Sequence, residues 1–229
     1  MAQQSTALVL GASRGLGLAL AEEWLRRDWR VIATTRGPSD KLDALRARFP
    51  GSLEVDSVEL AEADSLRGLR RRLEGRQLDV LFINAGVARA IEKSPGVAAE
   101  KDFLEMMLVN AFSPVRAAEI LRDLVPRKGV LAIMTSELGS IANASGHWQL
   151  YSSSKAALNM LMKGYAAQHE ADAHALLLVA PGWVRTDLGG SNALLSIDES
   201  IPLVVDMVEA NRGKPGLRYV DRFNKVLPW

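Results

Sequence analysis

The 229-residue chain predicts an α/β fold: one domain, built as a doubly wound parallel sheet of about seven strands with helices on both faces. Three observations carry this expectation. Short runs are apolar at nearly every position, as strands buried on both faces must be. Longer amphipathic stretches separate those runs. No repeat, low-complexity tract or linker divides the chain, whose length suits one sizeable domain.

The elements follow in order. TALVLGA (6–12) reads as the first strand and LGLALAEEWLRRD (16–28) as the helix after it. WRVIATTR (29–36), SLEVDS (52–57) and LDVLFINAG (78–86) read as the next strands, with the helical patterns KLDALRARF and EADSLRGLRRRLE between them. One long helical stretch, KDFLEMMLVNAFSPVRAAEILRDLV, leads to the strand VLAIMTS (130–136). QLYSSSKAALNMLMKGYAAQHE is the next helix and ALLLVAPG (175–182) the next strand. The arginines Arg67, Arg70, Arg71, Arg72 and Arg76 read as a solvated helix face.

Composition narrows the function. With 48% hydrophobic and 24% charged residues the chain can bury a core. A net charge of +1 leaves no basic excess for nucleic acid. The absence of cysteine removes disulfides, thiolate chemistry and zinc–thiolate sites together, and no metal site is expected. The start, MAQQST, lacks the basic and apolar regions of a signal peptide, and no apolar run nears the ~18–20 residues of a membrane span. A soluble, cytoplasmic protein with no membrane partner is expected.

In doubly wound sheets ligands bind beyond the carboxyl ends of the strands. The first such end is GASRGLG, where Gly11, Gly15 and Gly17 permit a tight turn and close approach of backbone to a pyrophosphate at a helix N-terminus. The spacing is GxxxGxG rather than GxGxxG. After the second strand stands Arg36 and no acid, with Arg14 in the glycine turn. Two guanidiniums suit the 2′-phosphate of NADP, so NADP(H) is expected over NAD(H); the alternative is a pair of surface arginines. Asp56 either accepts from an adenine amino group or caps the next loop. Asn84, Ala85 and Gly86 place an amide and a glycine where a dinucleotide would lie, although alone they are a turn signal. Ser136 has no G-x-S-x-G elbow, and His147, His169 and His174 offer it no triad, which sets hydrolase chemistry aside. Tyr151 and Lys155 lie four apart, on one face of a helix. A phenol with a pKa near ~10 beside an ammonium near ~10.4 is either a reactive pair or two amphipathic surface side chains.

Taken in order across nearly the whole chain, GASRGLG, NAG, Asn110 in the middle helix, Ser136, YSSSK and PGWVRT resemble the short-chain dehydrogenase/reductase family. The resemblance implies a single Rossmann domain over residues 1–229 and a Ser–Tyr–Lys–Asn catalytic set. Tyr151 would be the general acid/base and Ser136 would hydrogen-bond the substrate oxygen. Lys155 would hold the nicotinamide ribose and lower the tyrosine pKa by its charge. Asn110 would hold a water for proton relay. Gly11, Ser13, Arg14, Gly15, Leu16 and Gly17 would surround the cofactor phosphates, with Arg36 nearby. Asp56 and Ser57 would meet the adenine, Asn84 with Ala85 and Gly86 the adenine ribose, and Pro181, Gly182, Val184 and Thr186 the nicotinamide side. The serines inside YSSSK are given no role.

Two departures are visible. Ser136 lies fifteen positions before Tyr151, a longer gap than the family's usual one, which leaves Ser140 as a rival serine. The turn expected before the last strand reads RFNK, with Asn224 taking the left-handed position. The brief segment after PG and the final PW are similar to the C-factor/sniffer-type carbonyl reductase branch. An open, apolar cleft lined by Leu138, His147, Trp148, Trp183 and Leu188 is implied. The expected activity is interconversion of a small ketone or aldehyde with an alcohol. The rival is a dinucleotide-binding signalling or scaffold protein of the C-factor type with little turnover. The helix that carries Tyr151 continues AALNMLMKGYAAQ, apolar nearly all round, and the resemblance favours a homodimer or homotetramer through it.

Overall fold

The computed structural model describes residues 4–229; Met1–Gln3, part of the stretch read above for a leader, lie outside them. Seven parallel strands form one sheet in the order β3-β2-β1-β4-β5-β6-β7. They are β1 (Thr6–Leu10), β2 (Arg30–Thr35), β3 (Leu53–Ser57), β4 (Val80–Ile83), β5 (Val130–Met134), β6 (Ala175–Ala180) and β7 (Gly216–Asp221). This is the expected single-domain Rossmann fold. The reversal of strand order falls between β1 and β4, the place at which doubly wound sheets take a ligand beyond the carboxyl ends of the strands.

The pleat explains why the strands are apolar at every position. Ala7 and Val9 of β1, paired in register with Val31 and Ala33 of β2 and with Val80 and Phe82 of β4, face one side. There they pack under α1 (Gly15–Arg26), α2 (Asp40–Arg48) and α7 (Ile197–Ala210). Leu8 and Leu10, in register with Leu81 and Ile83, face the other side. They pack under α3 (Ala63–Arg72), α5 (Ser113–Leu121) and α6 (Gln149–Gln168). Alternation across a strand thus feeds two cores at once. Trp24 anchors the first, its ring 6.1 Å from Trp29 and 5.9 Å from Phe82.

The long middle helix is not continuous. α4 (Glu100–Met106) gives way to a π-helical turn (Met107–Phe112) before α5 begins. Pro114 is the physical reason: it lacks an N–H, and in an unbroken α-helix its ring would clash with the carbonyl of Asn110. The widened turn absorbs this and sets Asn110 at a fixed place inside the molecule.

The arginines of α3 and of the turn after it are more than solvated. Arg72 pairs with Asp56, Arg76 with Glu54 and Arg67 with Asp64, at 2.9, 2.7 and 2.7 Å. At the far edge, Asn224 has φ 64°, the left-handed conformation expected of it. Its turn follows β7 instead of preceding the last strand. The Asp221 carboxylate accepts from the N–H groups of Phe223 and Lys225, which turns the chain back along β7, with a Val220–Val226 bridge. Trp229 ends against Tyr219, ring to ring at 5.5 Å. Among the described residues no helix is long and apolar enough to cross a membrane, and no group of three or more His, Cys, Asp or Glu could hold a metal ion.

Candidate active site

The glycine turn is tied to its neighbours. Gly11 N–H donates to Thr34 Oγ1 (3.1 Å), and Asn84 Nδ2 donates to the carbonyl of Gly11 (2.9 Å). Gly11 has φ +84°, and a Cβ there would sit 2.9 Å from that of Ala85. Gly17 lies closer still: its Cβ would be 2.1 Å from Gly11 O and 2.6 Å from Asn84 Nδ2. The first and third glycines therefore let β1, α1 and the end of β4 meet. Gly15, with φ +56°, keeps room, its nearest neighbour being Thr186 at 3.8 Å.

The N-terminus of α1 suits a pyrophosphate. Its N-cap residue, Arg14, makes no side-chain cap and no acid stands in its first turn, whereas Ser39 caps α2 and Ser196 closes a capping box on α7. Orphan N–H groups with no competing carboxylate are an anion site. Arg14 at this end and Arg36 after β2 have side chains 67% and 75% exposed, and among the described residues their ion pairs are with Asp187 (2.9 Å) and Glu59 (3.7 Å). Exposed pairs are worth about 0–1 kcal/mol, so either guanidinium exchanges its acid for a phosphate at little cost.

Asp56 is more occupied than expected. Both its oxygens take Arg72 Nε (3.1 and 2.9 Å), and Oδ1 also accepts the Ser57 N–H at 2.6 Å. The carboxylate thus secures the turn after β3 and is itself held by an ion pair. On the far side of the crevice, Gly182 has φ +86°, Val184 is buried, and Thr186 Oγ1 accepts the Gly189 N–H (3.1 Å). Pro181 is fixed through its carbonyl by Ser200 Oγ at 2.8 Å. Thr186 thus brings the segment after β6 beside the glycine turn.

On α6, Tyr151 and Lys155 are both buried, at 7% and 3% exposure, which removes the surface-pair reading. Lys155 Nζ donates to the carbonyl of Met134 at the end of β5 (3.0 Å) and stands 5.8 Å from the Tyr151 ring centre. Burial pushes the Tyr151 phenol well above its ordinary value and brings Lys155 down to about 8. Burial is the cause in both groups, and it keeps the phenol protonated, opposite in direction to the lowering expected from the lysine charge.

Asn110 is fully buried and its amide is spent. Oδ1 accepts Val87 N–H (2.8 Å), and Nδ2 donates to Val87 O (2.8 Å) and Ser154 Oγ (3.0 Å). With both amide protons engaged, its side chain clamps the segment after β4 to α6. Ser154, inside YSSSK, is the link that sequence reading passed over; its hydroxyl donates to the carbonyl of Tyr151 at 2.7 Å. Its spacing, three after the tyrosine, was the available signal.

Ser136 is the N-cap of a 3-10 turn (Glu137–Gly139), and its Oγ accepts the Leu138 N–H at 3.2 Å. Accepting leaves the hydroxyl proton free for a ligand. Ser140 is buried, accepts from Asn143 N–H and donates to the Trp229 carbonyl, so it is committed elsewhere. Of the expected pocket residues, Leu138 and Trp148 pack with Tyr151, the indole edge-on to the phenol at 5.8 Å. His147 stacks on Trp148 from outside, and Trp183 and Leu188 stand partly exposed on the segment after β6.

Comparison with known proteins agrees with this geometry. The family model described as short chain dehydrogenase matches residues 5–194. C-signal of Myxococcus xanthus is 31% identical over 156 residues, covering 66% of this chain and 93% of its own. A Burkholderia multivorans protein described as a short-chain dehydrogenase/reductase, solved with NADP bound, superposes with a TM-score of 0.97 at 45% identity, over 99% of this chain and 100% of that one. A carbonyl reductase from Pseudomonas aeruginosa PAO1 in complex with NADP gives 0.90 at 38% identity with the same coverage.

Proposed function

This chain belongs to the short-chain dehydrogenase family, and from that premise we propose that it interconverts a small ketone or aldehyde with the corresponding alcohol, using NADP(H) in preference to NAD(H). One observation carries the reading. Tyr151 and Lys155 are buried one helical turn apart against the strand end where Ser136 keeps a free hydroxyl proton, beside the glycine turn. When bound, the nicotinamide supplies or takes the hydride. Tyr151 gives its proton to the substrate oxygen in the reductive direction, and burial, which keeps that phenol protonated, suits a general acid. The Ser136 hydroxyl donates to the same oxygen as charge develops on it. Lys155, at about 8, is charged at neutral pH and offsets the tyrosinate left behind. Asn110 and Ser154 hold α6 in place for this.

Arg14 and Arg36, with no carboxylate at the end of β2, support the NADP(H) preference. The cysteine-free composition fits a cytoplasmic setting. The function is tested by following NADPH consumption with a panel of aliphatic and aromatic ketones and aldehydes, and turnover of at least one class is expected. The 31% identity to C-signal favours one other reading, a dinucleotide-binding signalling protein. A chain that binds NADPH tightly and reduces nothing on the panel would decide for it.

Self-association belongs to the same proposal. Leu104, Leu108 and Phe112 along α4 and the π turn, with Met160 and Leu161 on the adjoining α6, are 41–70% exposed, an apolar face that a homodimer or homotetramer would cover. Light scattering at micromolar concentration is expected to give at least twice the 24.9 kDa chain mass; a single-chain mass would refute it.

A further inference from the structure

The turn that carries Ser136 is held at several points by groups outside the proposed acid–base set. Before the serine, Thr135 Oγ1 donates to Asn159 Oδ1 (2.9 Å). After it, Asn159 Nδ2 donates to the carbonyl of Gly139 (3.2 Å). The carbonyl of Ser136 itself accepts the Tyr219 hydroxyl from β7 at 2.6 Å. Asn159 is 3% exposed, and Tyr219 and Thr135 are buried with it. Asn159 continues the stripe of Tyr151 and Lys155, one further helical turn along α6. Gly139 must lack a side chain for the contact to form, because its Cβ would lie 2.9 Å from Asn159 Nδ2 and 3.1 Å from the backbone of Lys155. One buried amide thus straddles the serine, with both its oxygen and its nitrogen engaged.

We propose that Asn159 is a positioning residue: its amide locks the serine-bearing turn after β5 to the tyrosine-bearing helix, and the Tyr219 hydroxyl completes the lock from β7. The inference rests on the assignment of Ser136 and Tyr151 proposed above. Free rotation of α6 against β5 would separate the two donors that must reach one substrate oxygen. Buried amide bonds with both ends satisfied are directional in a way that apolar packing is not. An apolar residue at 159 would fill the space and leave the turn free to shift, and a shift of about 1 Å in a reacting group is enough to cost on the order of a hundred-fold in rate.

The test uses Asn159→Ala and Tyr219→Phe, each alone and combined with Ser136→Ala, with NADPH affinity by fluorescence titration and kcat per NADPH-binding site. Asn159→Ala is expected to lower kcat roughly ten- to hundred-fold with NADPH affinity within about two-fold, and to add no further loss once Ser136 is alanine. Tyr219→Phe, which removes one hydroxyl and keeps the ring, is expected to show the same pattern with a loss of roughly three- to ten-fold, and it decides the matter if the alanine variant does not fold. The proposal is overturned if kcat per site is unchanged. It is equally overturned if the fold-loss is the same with and without Ser136, or if NADPH affinity falls in step with kcat. Full turnover by Ser136→Ala alone would remove the underlying assignment, and this inference with it; an intact Ser136 effect beside additive losses would remove only this inference.

Discussion

Tyr151→Phe is expected to lower kcat about 10²–10⁴-fold while NADPH affinity stays within about three-fold. The size follows from what is lost and what is kept. The phenyl ring keeps its edge-on contact with Trp148 and its packing on Met106 and Leu150, so the fold has no cavity to answer for. The groups proposed to hold the cofactor phosphates lie at 11–17 and at Arg36, on other elements. Only the hydroxyl goes, and with it the proton donor to the substrate oxygen. Steady-state kinetics beside an NADPH titration separate the two quantities. An undiminished kcat would end the assignment of Tyr151, whereas a parallel loss of affinity would show that the residue serves binding.

The second large effect concerns the cofactor. Wild-type protein is expected to bind NADPH at least about a hundred-fold more tightly than NADH, with Arg36→Ala losing roughly ten-fold or more of that ratio and leaving NADH affinity unchanged. A hydrogen bond to a charged group contributes about 1.5–3 kcal/mol, and two guanidiniums are available. The exposure of both side chains places each at the low end of that range and makes the preference weaken as salt is raised. Combining Arg14→Ala with Arg36→Ala should bring the two affinities close together. Equal dissociation constants for NADPH and NADH in the unaltered protein would refute the preference outright.

The sheet was legible because strands buried on both faces leave unbroken apolar runs. The glycine turn was legible because Gly11 and Gly17 occupy places where a Cβ would strike backbone. Lys155 and Tyr151 were legible from their spacing only together with the motifs that precede and follow them in order. Other parts depend on residues that meet only in space. The bond from Arg72 to Asp56 joins residues sixteen apart at the end of β3 and on α3. The two contacts of Asn110 with Val87 join residues twenty-three apart. Neither has a local signature. The break in the middle helix did have one, since Pro114 stands in the sequence, as did Ser154 and Asn159, which share the face of Tyr151 and Lys155. The direction of the Tyr151 shift could not be read from residue types, because it follows from burial, which only the folded chain sets.

The return of the chain after Asn224 has a consequence for solubility. β7 is an outer strand, and an outer strand offers unpaired N–H and C=O groups to any other chain. Residues 225–227 lie along its C-terminal half, where Leu227 N–H donates to the Tyr219 carbonyl at 2.9 Å and Val226 bridges to Val220. At the opposite margin, β3 is five residues long and carries Glu54 and Asp56, each engaged by an arginine. Both margins are therefore blunted, one by a self-made cover and the other by shortness and charge. Strand-by-strand aggregation between copies is held off at either side of the sheet.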